Sequence, residues 1–195
     1  MSSPYFDKRV DFFREYFAKA APYEEYLTLG NPTHIKRWRD FEGRLNLDDA
    51  LKTRLKNFVR TMPVLVLSGV WCGDCARQGP MLRLIEQASS LMQFRFIDNR
   101  QNPELLDELR INGAAKVPVI VAFSEDFFEI SRFGDRHLSV YQRKAVNELG
   151  PACDPGIVPP SPDSLHTELR EWVDFFERCQ LMLRLSPQLR ERYND

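Results

Sequence analysis

An unbroken apolar run near the middle of the chain, PVLVLSG at residues 63–69, constrains the fold more than any other feature. It consists mainly of valine and leucine, with no polar residue alternating between them. A run of this kind is typical of a strand that is covered on both faces. The segment therefore predicts a central strand in a sheet that has helices on each side.

The segments around this run predict alternating helices and strands. Between Asn46 and Leu149 the predicted order is helix, strand, helix, strand, helix, strand, strand, helix. Asn46 is expected to cap the first helix, and the helix after the central strand is expected to reach about Leu91, with a kink at Gly79 and Pro80. A strand–helix–strand crossover followed by a hairpin and a helix indicates an α/β fold with a mixed sheet.

Helical segments are also predicted before and after this block. Residues 4–29 show an apolar face with helical spacing that includes Phe6, and Pro22 and then LGNPTH interrupt this pattern. A second short helix covers residues 33–41, and a last helix with an apolar stripe begins at Ser161. We expect both end segments to pack outside the core as added layers; the alternative is a surface for a partner or a second subunit. The resulting divisions are an N-terminal helical extension (1–45), a core domain (46–149), a proline-rich linker (150–161) and a C-terminal helical extension (162–195).

Charge and composition narrow the range of partners and compartments. The formal net charge of −1 argues against nucleic acid as a partner, because phosphate binding normally requires a basic surplus. The longest apolar run is too short to cross a bilayer, and the N-terminus lacks an apolar stretch of signal-peptide length. We therefore expect a cytoplasmic protein with no membrane partner. Structural disulfides are rare in the cytoplasm. The four cysteines therefore indicate one working pair, two thiols that carry the chemistry, and spare thiols.

The working pair is predicted in the sequence GVWCGDC, residues 69–75, which follows the central strand directly. Cys72 is expected at the start of the next helix, where free N–H groups and the helix dipole stabilise a thiolate. Cys75 lies one turn further on, close enough to form a disulfide with Cys72. This arrangement suits thiol–disulfide exchange, in which Cys72 attacks and Cys75 resolves the mixed disulfide.

Two other interpretations of the pair stay open at this point. The cysteines can be inert core thiols, or they can be half of a zinc site, which needs four ligands. The remaining candidate ligands are isolated in the sequence: Cys153, Cys179, His34, His137 and His166. We interpret Cys153 as a spare thiol and Cys179 as a small core residue of the last helix, and favour redox chemistry.

The cysteine segment resembles the thioredoxin family. The family's Trp-Cys-Gly-Pro-Cys sequence is matched by WCGDC, and Pro80 stands where the family has a helix-kinking proline. The segment KVPVI resembles the one that holds the family's cis-proline, which implies a cis Val117–Pro118 bond. Phe123 and Gly134 follow at the family's spacing. The resemblance implies a thioredoxin-like fold, a mixed sheet flanked by helices, with helices added at both ends.

The resemblance also implies a substrate groove beside the dithiol. Trp71 is expected to provide an apolar platform, and Pro118 to pack against the two sulfurs. The backbone of Val117 is expected to pair with a substrate strand, and Gly134 to keep the opposite rim of the groove low.

Three positions depart from the family pattern. Val66 stands where the family buries an aspartate, Ser68 stands where it has a tryptophan, and Asp74 replaces the proline between the cysteines. The proton of Cys75 therefore needs another route. A carboxylate at Asp74 is expected to modulate the pKa of Cys72 by opposing thiolate formation.

These features predict a thiol–disulfide oxidoreductase that reduces a disulfide-containing protein substrate. A recycling reductase or a small thiol then restores the dithiol, and no metal or organic cofactor is required. Two alternatives remain: a non-catalytic binding module whose groove is covered, and a redox sensor whose disulfide changes the packing of the C-terminal helix.

Overall fold

A computed structural model describes residues 5–149 and 163–194 of the chain. Within these ranges the helices are α1 (Val10–Lys19), α2 (Tyr23–Leu27), α3 (Pro32–Glu42), α4 (Asp49–Lys56), α5 (Gly73–Ala88), α6 (Pro103–Glu108), α7 (Leu138–Leu149), α8 (Ser164–Arg184) and α9 (Pro187–Tyr193). The strands are β1 (Met62–Ser68), β2 (Met92–Asp98), β3 (Val119–Phe123) and β4 (Glu129–Gly134). None of the described helices combines the length and apolar character needed to cross a membrane.

The strands form one mixed sheet in the order β2–β1–β3–β4. β1 and β2 are parallel, whereas β3 runs antiparallel to both β1 and β4. Every residue of β1 is buried, as expected for a strand with helices on both sides. The predicted α/β fold with a mixed sheet is confirmed. The parallel pairing also places the carboxyl ends of β1 and β2, Ser68 and Asp98, side by side.

Alternate residues of the central strand point into two separate cores. Val64 and Val66 belong to the core that also contains buried residues of α2, α3, α4, α5 and α8. Leu65 and Leu67 face the opposite side, which α1 and α6 cover and where Phe13 is fully buried. The N-terminal extension therefore contributes to both faces of the sheet.

The N-terminal helical segment is broken next to Pro22, where the sequence predicts an interruption. The helical segment expected over residues 4–29 is two helices, α1 and α2, separated by an extended segment at Ala21. Pro22 favours an extended conformation in the residue before it and is itself the N-cap residue of α2. Ala21 and Phe96 of β2 exchange two backbone hydrogen bonds, at 2.9 and 2.7 Å. Phe6, expected on the apolar face, is 82 % exposed.

Two other helix ends differ from the prediction. The cap of α4 is Asp48 rather than Asn46, because the Asp48 carboxylate accepts a hydrogen bond from the Leu51 N–H at 2.8 Å. The helix after the central strand ends at Ala88, short of the expected end near Leu91. The short helix expected over residues 33–41 is confirmed as α3.

The C-terminal extension is built on α8. This helix begins at Ser164 after the Asp163 cap; its expected start at Ser161, the linker at 150–161 and Cys153 lie outside the described residues. Its predicted apolar stripe is buried at Leu169, Trp172, Phe176, Cys179 and Leu183. A further helix, α9, follows the Ser186 cap and was not predicted from the sequence.

A buried carboxylate ties α8 to the core. Glu168 has no exposed surface and forms ion pairs with Arg77 of α5 and Arg143 of α7. Two guanidinium partners compensate the charge of a carboxylate that is removed from water. The C-terminal extension therefore packs on the core as an added layer.

Candidate active site

The carboxyl end of β1 leads directly into the cysteine pair. β1 ends at Ser68, and Cys72 is the N-cap residue of α5. Both cysteines are free thiols. Cys72 is 9 % exposed and Cys75 is 1 % exposed. The sulfur at the helix start is therefore the more accessible one, and the second sulfur is enclosed behind it.

The surroundings shift the pKa values of the two thiols in opposite directions. They lower the pKa of Cys72 to about 6, chiefly through a hydrogen bond from the Cys75 side chain. The N–H groups of Cys75 and Asp74 at the helix start act in the same direction, while burial and the Asp74 carboxylate act against it. Burial raises the pKa of Cys75, and the neighbouring Cys72 raises it further. Near neutral pH the pair therefore holds a thiolate on Cys72 and a thiol on Cys75.

The segment before β3 lies next to the accessible sulfur. The Val117–Pro118 peptide bond is cis, which confirms the prediction. The Val117 carbonyl oxygen is 3.8 Å from Cys72 Sγ. The backbone that is expected to bind a substrate strand thus stands beside the sulfur that is expected to attack.

Gly134 is required by packing on this same segment. It pairs with Val119 across β3 and β4. A Cβ atom at Gly134 would lie 2.9 Å from the Pro118 carbonyl oxygen and 2.7 Å from Ile111 Cδ1. Any larger residue would displace the cis-proline segment, whether or not Gly134 also shapes a substrate groove.

Trp71 is half-buried and folds back over the loop that contains it. A Cβ atom on Gly69 would lie 2.8 Å from the indole Nε1, so the glycine makes room for the ring. The Arg100 guanidinium lies 4.4 Å from the ring centroid, and Arg37 donates to the Trp71 carbonyl oxygen at 3.5 Å. Two arginines therefore contact the tryptophan that precedes Cys72.

Asp74 has an ion-pair partner that the sequence analysis missed. Its carboxylate lies 2.6 Å from the Arg136 guanidinium. Arg136 also contacts Asp135 at 3.2 Å, and Asp135 contacts Lys116 at 3.4 Å. Arg136 partly neutralises the carboxylate that opposes the Cys72 thiolate. The chain of charges connects the start of α5 to the residue before the cis-proline segment.

The N-terminal extension forms part of this site, which the sequence analysis also missed. Trp38 of α3 is fully buried, and its Nε1–H donates to the Val70 carbonyl oxygen at 2.9 Å. Its ring lies against Gly79 of α5, where a Cβ atom would overlap it. The aromatic residues of the extension signalled burial, but no local pattern named the cysteine loop as their partner.

The other candidate metal ligands do not converge on the pair. Cys179 is buried in α8, and burial raises its pKa to about 12. The His166 ring lies 2.9 Å from the Asp48 carboxylate, and burial lowers the pKa of His137 to about 3. Across residues 5–149 and 163–194, no group of three or more His, Cys, Asp and Glu side chains is placed to hold a metal ion.

The strand order and the cysteine pair at the carboxyl end of β1 define a thioredoxin-type fold. The chain belongs to the thioredoxin family: the family model described as thioredoxin matches residues 20–145. A protein of unknown function from Pseudomonas aeruginosa is similar in structure, with a TM-score of 0.67 and 20 % identity over 85 % of this chain and 97 % of that one. An HIV epitope-scaffold gives a TM-score of 0.59 and 20 % identity over 86 % of this chain and 92 % of that one. No curated protein matches the sequence.

Proposed function

We propose that the protein is a thiol–disulfide oxidoreductase that reduces protein disulfides through Cys72 and Cys75. The observation that carries the proposal is a sulfur with a pKa of about 6 at a helix start, more exposed than the buried thiol behind it. The cis-proline backbone at 3.8 Å from that sulfur supports it. Membership of the thioredoxin family supports oxidoreductase chemistry in general terms.

The proposed exchange takes two steps. The Cys72 thiolate attacks one sulfur of the substrate disulfide; the substrate S–S bond breaks, a mixed disulfide forms and the other substrate sulfur leaves as a thiolate. Cys75 then loses its proton and attacks Cys72 Sγ. The Cys72–Cys75 bond forms and the second substrate sulfur leaves as a thiolate. Two electrons pass to the substrate, whose thiolates take up protons from water.

The rest of the proposed site holds the substrate chain. The Val117 backbone pairs with an extended substrate segment, as in other cases of strand addition, and the Trp71 ring supports its apolar side chains next to Cys72. Gly134 leaves the rim opposite open. A cytoplasmic reductase or small thiol regenerates the dithiol, and the proposed reaction uses no metal or organic cofactor.

The test combines a redox titration with single substitutions. Thiol labelling across a graded series of dithiothreitol potentials is expected to give a reversible Cys72–Cys75 couple with a midpoint of about −270 to −200 mV, typical of a reductase. Cys72→Ser is expected to abolish reduction of a disulfide-bonded model protein, and Cys75→Ser to trap the mixed disulfide. Cys179→Ser is the matched control and leaves activity unchanged. Absence of a Cys72–Cys75 disulfide at every potential contradicts the proposal.

A second candidate function is a non-catalytic binding module with the same fold. The small exposed fraction of Cys72, 9 %, favours it. Iodoacetamide labelling of the native protein separates the two functions: rapid alkylation of Cys72 supports the oxidoreductase, whereas resistance until unfolding supports the module. The redox-sensor alternative depends on the segment before α8, which lies outside the described residues.

A further inference from the structure

Two buried hydroxyl groups lie beneath the dithiol. Ser68 ends β1 and Tyr26 belongs to α2, and each is 1 % exposed. Neither hydroxyl makes a hydrogen bond of ordinary geometry within the described part of the chain. By strand alternation Ser68 shares the face of β1 that carries Val64 and Val66, which lies in the core that contains Tyr26 and Cys75. The nitrogen of the next residue, Gly69, is 3.4 Å from Cys75 Sγ, and the Ser68 hydroxyl acts to lower the pKa of both Tyr26 and Cys75. Buried polar groups are almost always paired, so two adjacent unpaired ones call for an explanation.

The surrounding packing fixes the Tyr26 ring and the backbone of Ser68. The Tyr26 ring stacks on Phe96 at a centroid distance of 5.6 Å and meets Trp38 edge-on at 5.9 Å. The Ser68 carbonyl oxygen is held by the Asn99 N–H at 2.9 Å. With the ring and the strand end both constrained, the Tyr26 O–H bond and the Ser68 side chain can still rotate to bring the two hydroxyls into hydrogen-bond geometry.

We propose that Tyr26 and Ser68 form a chain of two hydroxyl donors that ends on Cys75 Sγ and stabilises the Cys75 thiolate during the resolving step. This inference rests on the proposed oxidoreductase function. In this proposal Ser68 donates to the reacting sulfur and is a catalytic residue, whereas Tyr26 acts through Ser68 and is a positioning residue. Val66, which stands where the family has a buried acid, is apolar and cannot serve the sulfur in this way.

The chain is complete only when Cys75 is charged. The Cys75 thiol loses its proton to solvent, and the resulting thiolate accepts hydrogen bonds from the Gly69 N–H, whose nitrogen is 3.4 Å from Sγ, and from the Ser68 hydroxyl. The Tyr26 hydroxyl then donates to Ser68 Oγ. Donors already in position for a charge that develops during the reaction need no rearrangement. The thiolate attacks Cys72 Sγ, and the substrate sulfur leaves as a thiolate that takes a proton from water.

Several titratable groups surround this chain. Cys72, one turn before Cys75, and Asp98, at the end of β2, interact with the Tyr26 hydroxyl. The Asp98 carboxylate is held by the N–H groups of Arg100 and Gln101 at 2.9 and 3.1 Å. A cavity of about 360 Å³ lies beside Tyr26 and Asp98. Lys19 and Glu25 also line this cavity, so both lie near the Tyr26 end of the hydroxyl chain.

The two steps are separated by reaction with dithiobis(nitrobenzoic acid) in a Cys153→Ser background. Attack by Cys72 releases one thionitrobenzoate anion, and attack by Cys75 releases the second. Ser68→Ala is expected to slow the second release about tenfold at neutral pH and to move its pH midpoint upward, since it removes a hydrogen bond to a charged group. Tyr26→Phe is also expected to slow the second release and to raise its pH midpoint, each by a smaller amount. The double variant is no slower than Ser68→Ala, and the first release is unchanged in all three.

Tyr23→Phe is the matched control. Tyr23 lies in the same helix, is equally buried and packs on the same Phe96, but its hydroxyl donates to Glu42 at 2.6 Å; neither release is expected to change. If Ser68→Ala and Tyr26→Phe both give the second release at the wild-type rate and with the wild-type pH midpoint, the inference is wrong and the proposed function is unaffected. Equal slowing of both releases also overturns it, since that indicates general distortion. A wild-type protein with no second release overturns the inference together with the proposed function.

Discussion

The helices before the core and those after it both bury a tryptophan completely, Trp38 in α3 and Trp172 in α8, but they contact different parts of the molecule. Trp38 binds the Val70 carbonyl oxygen just before the cysteine pair. α8 packs along α4, α5, α7 and β4, and its Glu168 reaches α5 further along, at Arg77. An added helix thus joins the site when it packs at the carboxyl ends of the parallel strands, where α/β folds place their binding sites.

The contact between α3 and α5 gives the largest expected effect. Gly79→Ala places a Cβ atom within the space of the Trp38 ring. We expect a loss of about 3 kcal/mol in the free energy of unfolding, at the upper end of the range for overpacked cores. Gly73→Ala in the same helix is the control, because a Cβ atom there meets open space. Urea unfolding of the two variants measures the difference; equal stabilities contradict the contact.

A pair of matched tryptophan substitutions sharpens the comparison of the two extensions. Trp38→Phe leaves the buried Val70 carbonyl oxygen without its donor, whereas Trp172 Nε1 has no hydrogen-bond acceptor among the described residues. We expect Trp38→Phe to cost roughly 1–3 kcal/mol more than Trp172→Phe. Denaturant unfolding measures this difference, and a larger loss in Trp172→Phe would break the comparison.

The pKa of Cys72 tests whether groups within the cysteine pair, rather than the N-terminal extension, stabilise the thiolate. Because thiolate is the reactive form, the alkylation rate should rise as pH passes through about 6 and level off above it. Cys75→Ala removes the main hydrogen bond to the thiolate, so the midpoint moves up toward the ordinary value of 9.0. Iodoacetamide kinetics against pH measure both curves. An unchanged midpoint in Cys75→Ala would assign the low pKa to other groups.

Asp74→Asn has the smallest expected effect. The substitution keeps the backbone N–H that stabilises the Cys72 thiolate and removes the carboxylate that opposes it. Because Arg136 already pairs with that carboxylate, we expect only about a twofold faster alkylation below the Cys72 midpoint, the scale of an exposed charge interaction. Slower alkylation in this variant would mean that the Asp74 carboxylate stabilises the Cys72 thiolate instead of opposing it.

The sequence alone was sufficient to predict the features that depend on local residue patterns. The apolar run of β1 and the position of Cys72 at a helix start follow from residue type and spacing alone. The cis Val117–Pro118 bond followed only from resemblance to a family, because proline permits a cis bond without specifying it. The break at Ala21 was visible in part through Pro22, although its pairing with Phe96 was not.

The site residues that could not be predicted from the sequence share one property: each interacts with a residue that is distant along the chain. Tyr26 and Trp38 reach residues near Cys72 that are more than thirty positions away, and Arg136 reaches Asp74 from beyond β4. Helical periodicity shows that such side chains face inward or outward. It does not show which surface they meet, since that depends on how the helices are arranged around the sheet.

The backbone pairing of Ala21 with Phe96 also limits how much of the sheet edge is open to another chain. An exposed strand edge is a template on which another chain can add a strand. The Ala21 pairing occupies part of the outer edge of β2. The opposite edge, β4, has no further strand beside it in the described structure, but it carries the ion pair between Glu129 and Arg132 at 2.7 Å. One edge is covered in part by the chain itself, and the other carries a pair of charged side chains.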